Sequence, residues 1–444
     1  MKRFLAALLA ALGLMGTLSG CSLNLAASPE DLYTLPQLPA EYAELNHSIR
    51  QLIEAGAEYA APTAGTNLQP LQLVDLDGDG EEEALAFLRR GSDERALKIY
   101  IYERTESGYT QSAVIEGSGT AVYSVDYRDL DGDGRQEILV SWKVGPEVQA
   151  LSVFTLRLGT PRELMNSSYI RYAAADLDGD GREEILTFRA DEQGAGTAEY
   201  YAWADDGTLV PAGVARLSMT MAELSAGQVL SGTLRGGEPA VFATGVSDSR
   251  VQVTDILALR DGELGNLTVS DSTGVSREIY RYLGLFPTDI DGDGVTELPV
   301  PEELLSSGDT ESGCRVSWRS YDAAGTGETA LSAYHALADG WYLVLPESWG
   351  EGLSVRTEGT GTDASMASFG IGAGDGRIEI LRIYTFSGEN RETLAAKGGR
   401  VLLSREGETI YSAELLEAGA FTLTEDSLRQ SFHRVSRVWS LGGN

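Results

Sequence analysis

Cysteine is scarce in this chain, with two among 444 residues, and histidine is nearly as scarce, with three. A disulfide framework needs more cysteines, and a structural zinc ion takes four clustered Cys/His ligands, so both are excluded. Any metal must be held by oxygen. Positive charge is also short: 34 Lys+Arg stand against 67 Asp+Glu, a net charge of −33. That balance repels phosphate backbones and anionic lipid headgroups, which argues against a nucleic-acid or membrane-surface binder and makes cations the natural partners. Beyond the first twenty residues no segment offers the about 18 uninterrupted apolar residues of a membrane helix. Hydrophobic residues nonetheless make up 42% of the chain. That excludes a disordered or fibrous class and leaves one large or two to three ordinary domains with real cores.

The N-terminus carries Lys2 and Arg3, an apolar run from Phe4 to Met15, and small residues before Cys21. This order is that of an export signal. Leu18-Ser19-Gly20-Cys21 resembles the lipobox of bacterial lipoproteins. The resemblance implies cleavage of residues 1–20, a diacylglycerol on Cys21, and a chain held at the extracytoplasmic face of the cell membrane by lipid alone. The alternative is an ordinary secretory signal with a chance cysteine. Residues 21–38 read as a tether. Cys314, without a partner once Cys21 is lipidated, reads as a small strand residue.

Over 39–59, Tyr42, Leu45, Ile49, Leu52 and Ile53 recur at helical spacing and predict one helix that Gly56 helps to end. Repetition follows. Asp75-Leu76-Asp77-Gly78-Asp79-Gly80-Glu81-Glu82-Glu83 returns at 129–137, 176–184 and 289–297. Midway through the last gap, Leu234 to Phe242 is a shortened copy without the aspartates, which makes five repeats. Each has an apolar lead-in, the acidic loop, and further strand-like runs such as Ala96–Tyr102 and Tyr109–Ile115. Four strands per period of about 50 residues match one propeller blade. The expected fold is mainly β, with a β-propeller of about five four-stranded blades over 65–335. Six or seven blades result if flanking strands join, and radial closure removes exposed sheet edges.

Oxygens at positions 1, 3 and 5 of such a loop can share one centre, with a backbone carbonyl at position 7 and a carboxylate at position 9. This ligand set suits Ca²⁺ better than Mg²⁺, which requires strict octahedral geometry and keeps its waters. The candidate ligands are Asp75, Asp77, Asp79, Glu81 and Glu83; Asp129, Asp131, Asp133, Arg135 and Glu137; Asp176, Asp178, Asp180, Arg182 and Glu184; and Asp289, Asp291, Asp293, Val295 and Glu297. In each set the position 7 residue serves through its carbonyl. An EF-hand needs an acid at position 12, where Ala86, Val140, Thr187 and Val300 stand, so that motif fails. The nine-residue form leading into a strand resembles the FG-GAP/VCBS calcium loops of integrin-type propellers over about 65–335. The resemblance implies about four Ca²⁺ ions and ligand binding through the face away from the calcium loops, and it leaves open whether the fourth repeat, which departs from the pattern, holds a metal. Plain Asp-Gly turns without metal are the alternative. Gly374 to Glu379 lacks the upstream aspartates and reads as a hairpin turn.

After Tyr334 the repeat stops, and 336–444 reads as an α+β domain with a closing helix from Thr424 to Trp439. Its phrase from Gly340 to Trp349 and its final helix are similar to Mog1/PsbP-like domains. No HExxH, GxSxG or Cys/His pair is present, and His47, His335 and His433 are scattered. Trp341 and Trp349 read as core rather than as a sugar platform. The reading is therefore a non-enzymatic, calcium-binding, lipid-anchored module that binds an envelope protein or a glycan. The alternatives are an extracellular polysaccharide lyase or hydrolase on the same scaffold, or a C-terminal domain that carries the function.

Overall fold

The computed structural model describes residues 42–435, apart from 107, 147, 158, 271, 305–312, 360–362 and 422. Cys21, the signal, the tether and Trp439 lie outside the described residues. The N-terminal helix spans Ala43–Glu54 and buries Leu45 and Ile49. The chain turns out of it at Gly56, whose φ of +94° suits a residue without Cβ.

Six antiparallel sheets follow. The second (Ala121–Arg128, Glu137–Lys143, Gln149–Arg157, Thr160–Tyr169) and third (Arg171–Ala175, Glu184–Ala190, Gly196–Trp203, Leu209–Arg216) are four-stranded meanders. The first has the same meander, Leu71–Val74, Glu83–Arg89, Leu97–Thr105 and Gly108–Gly117, plus the short strand Glu58–Tyr59. In the fourth (Gln228–Thr233, Pro239–Val246, Val251–Arg260, Glu263–Asn266), Ile279–Arg281 adds a fifth strand. Each meander matches one repeat, and in the first three the acidic loop joins the first strand to the second. The shortened copy does the same in the fourth sheet, where the Leu234 N–H bonds to the Glu238 carbonyl across a tighter turn.

The second strands are buried on both faces. In Glu83–Arg89, every residue but the last is buried. Such strands read as continuous apolar runs because a sheet or helix lies against each face. One cluster joins the first sheet to the second through Leu85, Phe87, Val125 and Trp142. Others join the second to the third, the third to the fourth, and the fourth to the fifth. The sheets thus form a row in which each packs on the next.

Two differences from the sequence reading concern the end of this row. The fifth sheet (Leu298–Glu302, Cys314–Tyr321, Gly327–Ala336) does not finish at 335. It continues with Trp341–Val344, which pairs with Gly327–Ala336, and with Phe432–Arg434. A sixth sheet (Leu353–Gly359, Ala364–Ile371, Ile378–Phe386, Thr409–Leu415, Val401–Glu406) packs on the fifth through Trp341, Leu343, Val355 and Phe369. Both end faces are covered by helix: the N-terminal helix lies on the first sheet, and Arg391–Ala395 lies on the sixth. Among the described residues no buried cluster joins the first sheet to the sixth, so helices cover the surfaces for which ring closure was expected.

The closing helix is also shorter than its apolar spacing predicts. It runs Glu425–Ser431 from a Thr424 capping box, and Phe432 then leaves it to pair with Leu343. The open edge of Trp341–Val344 offers ladder bonds that another helical turn would forgo. Cys314 begins a strand as expected, with burial pushing its thiol up to about 12. Gly374–Gly376 is the expected hairpin turn. No helix of the described residues is long and apolar enough to cross a membrane.

Candidate functional site

The four loops share one construction. Position 2 is a core residue, with Leu76, Leu130 and Leu177 buried in the clusters between sheets and Ile290 buried against the fifth sheet. The amide of that residue donates to the position 9 carboxylate: Leu76 to Glu83 at 2.8 Å, Leu130 to Glu137 at 3.0 Å, Leu177 to Glu184 at 2.8 Å and Ile290 to Glu297 at 3.1 Å. The position 1 aspartate accepts the position 6 glycine amide at 3.0 Å in every loop. Positions 4 and 6 have φ between +71° and +91°, where a side chain would be strained.

This wrapping brings three carboxylates together in each loop. Ligand oxygens of Asp75, Asp77 and Glu83 lie within 4.8 Å of one another, as do those of Asp129, Asp131 and Glu137, of Asp176, Asp178 and Glu184, and of Asp289, Asp291 and Glu297. The position 5 aspartates, Asp79, Asp133, Asp180 and Asp293, are not part of these triads. Each accepts the amide of its position 7 residue, Glu81, Arg135, Arg182 or Val295, at 2.8–3.0 Å. Burial pushes Glu83, Glu137, Glu184 and Glu297 up to about 7; the position 2 amide opposes that shift and the neighbouring aspartates add to it. Glu297 is fully buried, yet its Oε1 has no hydrogen-bond partner. A buried carboxylate oxygen without a partner is costly unless something positive meets it.

Adjacent loops are tied edge to edge. The Gln136 amide donates to the Leu76 carbonyl at 2.8 Å and the Glu183 amide to the Leu130 carbonyl at 2.7 Å. Thr296 makes the matching bond to Thr233 at 2.9 Å, where the shortened copy stands in for a loop. That copy has no acidic triad; Arg235 occupies it and pairs with Asp322 and Glu328.

Several of the residues that shape the site were missed by the sequence reading. The position 2 leucine was legible as a repeated letter, but its role as wedge and donor was not. The arginines paired to the loops come from elsewhere in the sequence: Arg104 to Glu81 at 3.0 Å, Arg135 to Asp77 at 3.9 Å, and Arg157 to Asp131 and Asp133 at 3.3 and 3.4 Å. Only Arg182, on Asp180 two positions away, is a local pair. The histidines do not converge with these groups: His47 lies in the helix, His335 is buried in the fifth sheet, and His433 lies in its last short strand.

Residues 75–140 match the FG-GAP-like repeat family. A crystal structure of a protein from Lactobacillus plantarum is similar at 10% identity, covering 69% of this chain and 89% of its own, with a TM-score of 0.24. No curated protein matches the sequence.

Proposed function

We propose that the chain is a calcium-braced binding module built from propeller-blade-like sheets, anchored by lipid at Cys21 on the outer face of the cell membrane, that presents a surface to an envelope protein or a glycan and catalyses no reaction. One observation carries the calcium reading: the same Asp-Asp-Glu convergence recurs in four loops, each around a buried glutamate. A divalent cation would be held by Asp75, Asp77 and Glu83 and by their three sets of counterparts, with the position 5 aspartates and position 7 carbonyls completing the shell. Hard oxygen donors in this number favour Ca²⁺. Its charge would offset the desolvation that keeps each glutamate's pKa near 7. In return the metal would fix loops that already bridge successive sheets, a structural role rather than a chemical one.

The binding role is supported by the export signal with its lipobox-like end and by the lack of nucleophile or base motifs. The C-terminal part is read with it as a Mog1/PsbP-like extension on the phrase from Gly340 to Trp349. Both tryptophans are core: Trp341 is fully buried, and Trp349 donates to the Phe421 carbonyl at 3.1 Å. Fractionation of cells expressing the wild type or Cys21→Ala tests the anchor. The wild type is expected in the membrane fraction and the variant uncleaved or released; identical processing and retention would refute it.

A further inference from the structure

Beside the second acidic loop, between the second and third sheets, lies a cavity of about 470 Å³. Its wall carries three guanidinium groups, Arg157, Arg162 and Arg182, and the indole of Trp203. In a chain of net charge −33 this is a local concentration of guanidinium groups, balanced on the same wall by Asp131, Asp205 and Asp206. Each arginine is tied to a carboxylate. Arg157 reaches Asp131 at 3.3 Å and Asp133 at 3.4 Å, Arg182 reaches Asp180 at 2.5 Å while lying 5.7 Å over the Trp203 ring, and Arg162 bonds to the Asp206 carbonyl at 2.9 Å with its carboxylate at 3.7 Å. Two of these three arginines are therefore held by side chains of the second and third acidic loops.

We propose that this cavity binds the carboxylate of an acidic saccharide, and that it becomes competent only when the two loops hold their cations. The proposal rests on the reading of the loops as calcium sites. A carboxylate cannot serve a divalent cation and a guanidinium at full strength together, and solvent-exposed ion pairs such as these are weak. A cation in the second loop, held by Asp131 with Asp133 in its shell, frees Arg157, and a second cation in the third loop, with Asp180 in its shell, frees Arg182. The wall then passes from neutral to net positive. It carries three arginines against Asp131, Asp205 and Asp206, and taking up Asp131 leaves positive charge in excess. Freed guanidinium forks match a carboxylate in two-point fashion, and the indole face suits the C–H face of a sugar ring. The volume fits a mono- or disaccharide. A polyphosphate, with several charges per molecule, would meet the repulsion of the acidic chain more strongly than a single carboxylate does.

Calorimetry on the purified full-length chain with cellobiouronic acid and with cellobiose, which lacks the carboxylate, tests this in millimolar calcium and in excess EGTA. The acidic sugar is expected to bind at least 10-fold more tightly in calcium than in EGTA, and cellobiose in neither. Arg162→Gln should weaken the acidic sugar about 10-fold and leave the calcium titration unchanged. Arg157→Gln should weaken it similarly while the second loop binds calcium as well as before or better. Equal binding of both sugars, binding indifferent to calcium, or no sugar binding beside a normal calcium titration would overturn the proposal and leave the calcium reading standing. Displacement by an equal concentration of inorganic sulfate would reassign the cavity to simple anions. Loss of the calcium heat itself would overturn both.

Discussion

Gly78 and Gly134 meet across two successive loops: a Cβ on Gly78 would lie 2.3 Å from the Gly134 carbonyl oxygen. Beside them, the Gln136 amide bonds to the Leu76 carbonyl, so backbone contacts seat the first loop on the second, with Arg135 reaching Asp77 at 3.9 Å. The loops are consequently parts of the packing between sheets and not appendages to it.

This contact separates two glycines that look alike in sequence. Gly78 and Gly80 both have positive φ, +73° and +88°, but a Cβ on Gly80 meets nothing within 4 Å. Gly80→Ala should cost about 1 kcal/mol from left-handed backbone strain. Gly78→Ala adds a steric clash with backbone and should cost about 2–3 kcal/mol in all. Denaturant unfolding of the two variants, with equal losses found, would contradict the seating of one loop on the other.

Glu297 distinguishes a structural from a metal-holding carboxylate. Glu297→Gln keeps the shape and can still accept the Ile290 amide, while removing a charge that the fold buries without a partner for Oε1. In EGTA the variant should be as stable as the wild type or more so. In calcium it should gain less in melting temperature, since one site is lost. A variant destabilised in EGTA with an undiminished calcium response would assign Glu297 to packing alone.

His335 gives a pH dependence separate from the loops. Burial in the fifth sheet pushes it down to about 3, and it accepts from Trp318 Nε1 at 3.0 Å and stacks on Tyr342. In the unfolded chain it takes a proton near pH 6.5, which the folded chain refuses. Stability from this group is therefore present above about 6.5 and lost as pH falls toward 3, by about 1.4 kcal/mol per pH unit. The difference in unfolding free energy between wild type and His335→Gln should narrow or reverse by that slope from pH 6.5 to 4.5. A constant difference would mean that the folded chain protonates His335 readily.

The repeats were legible because a nine-residue loop needs aspartates and glycines at fixed places, and the strands because they alternate with those loops. The N-terminal helix was legible from Leu45 and Ile49. What escaped depends on partners distant in sequence. Phe432 fits a helical stripe with Leu428, and only the open edge at Leu343 draws it into a sheet. Arg157 lies 26 positions from Asp131, and nothing in either neighbourhood marks the pair. The sixth sheet and the helix-covered ends of the row follow from which apolar faces find each other, which a repeat count does not specify.

The central claim is that the four loops bind calcium. Titration of calcium into the EGTA-stripped full-length chain, followed by calorimetry and by melting temperature, tests it most directly. About four ions per chain are expected, with dissociation constants on the order of 10⁻⁴–10⁻³ M. Stabilisation should grow with free calcium, reaching about 2.7 kcal/mol per site at a hundredfold excess over the dissociation constant. Asp131→Ala should remove one ion and leave about three. No calcium heat, with a melting temperature indifferent to EGTA, would contradict the account.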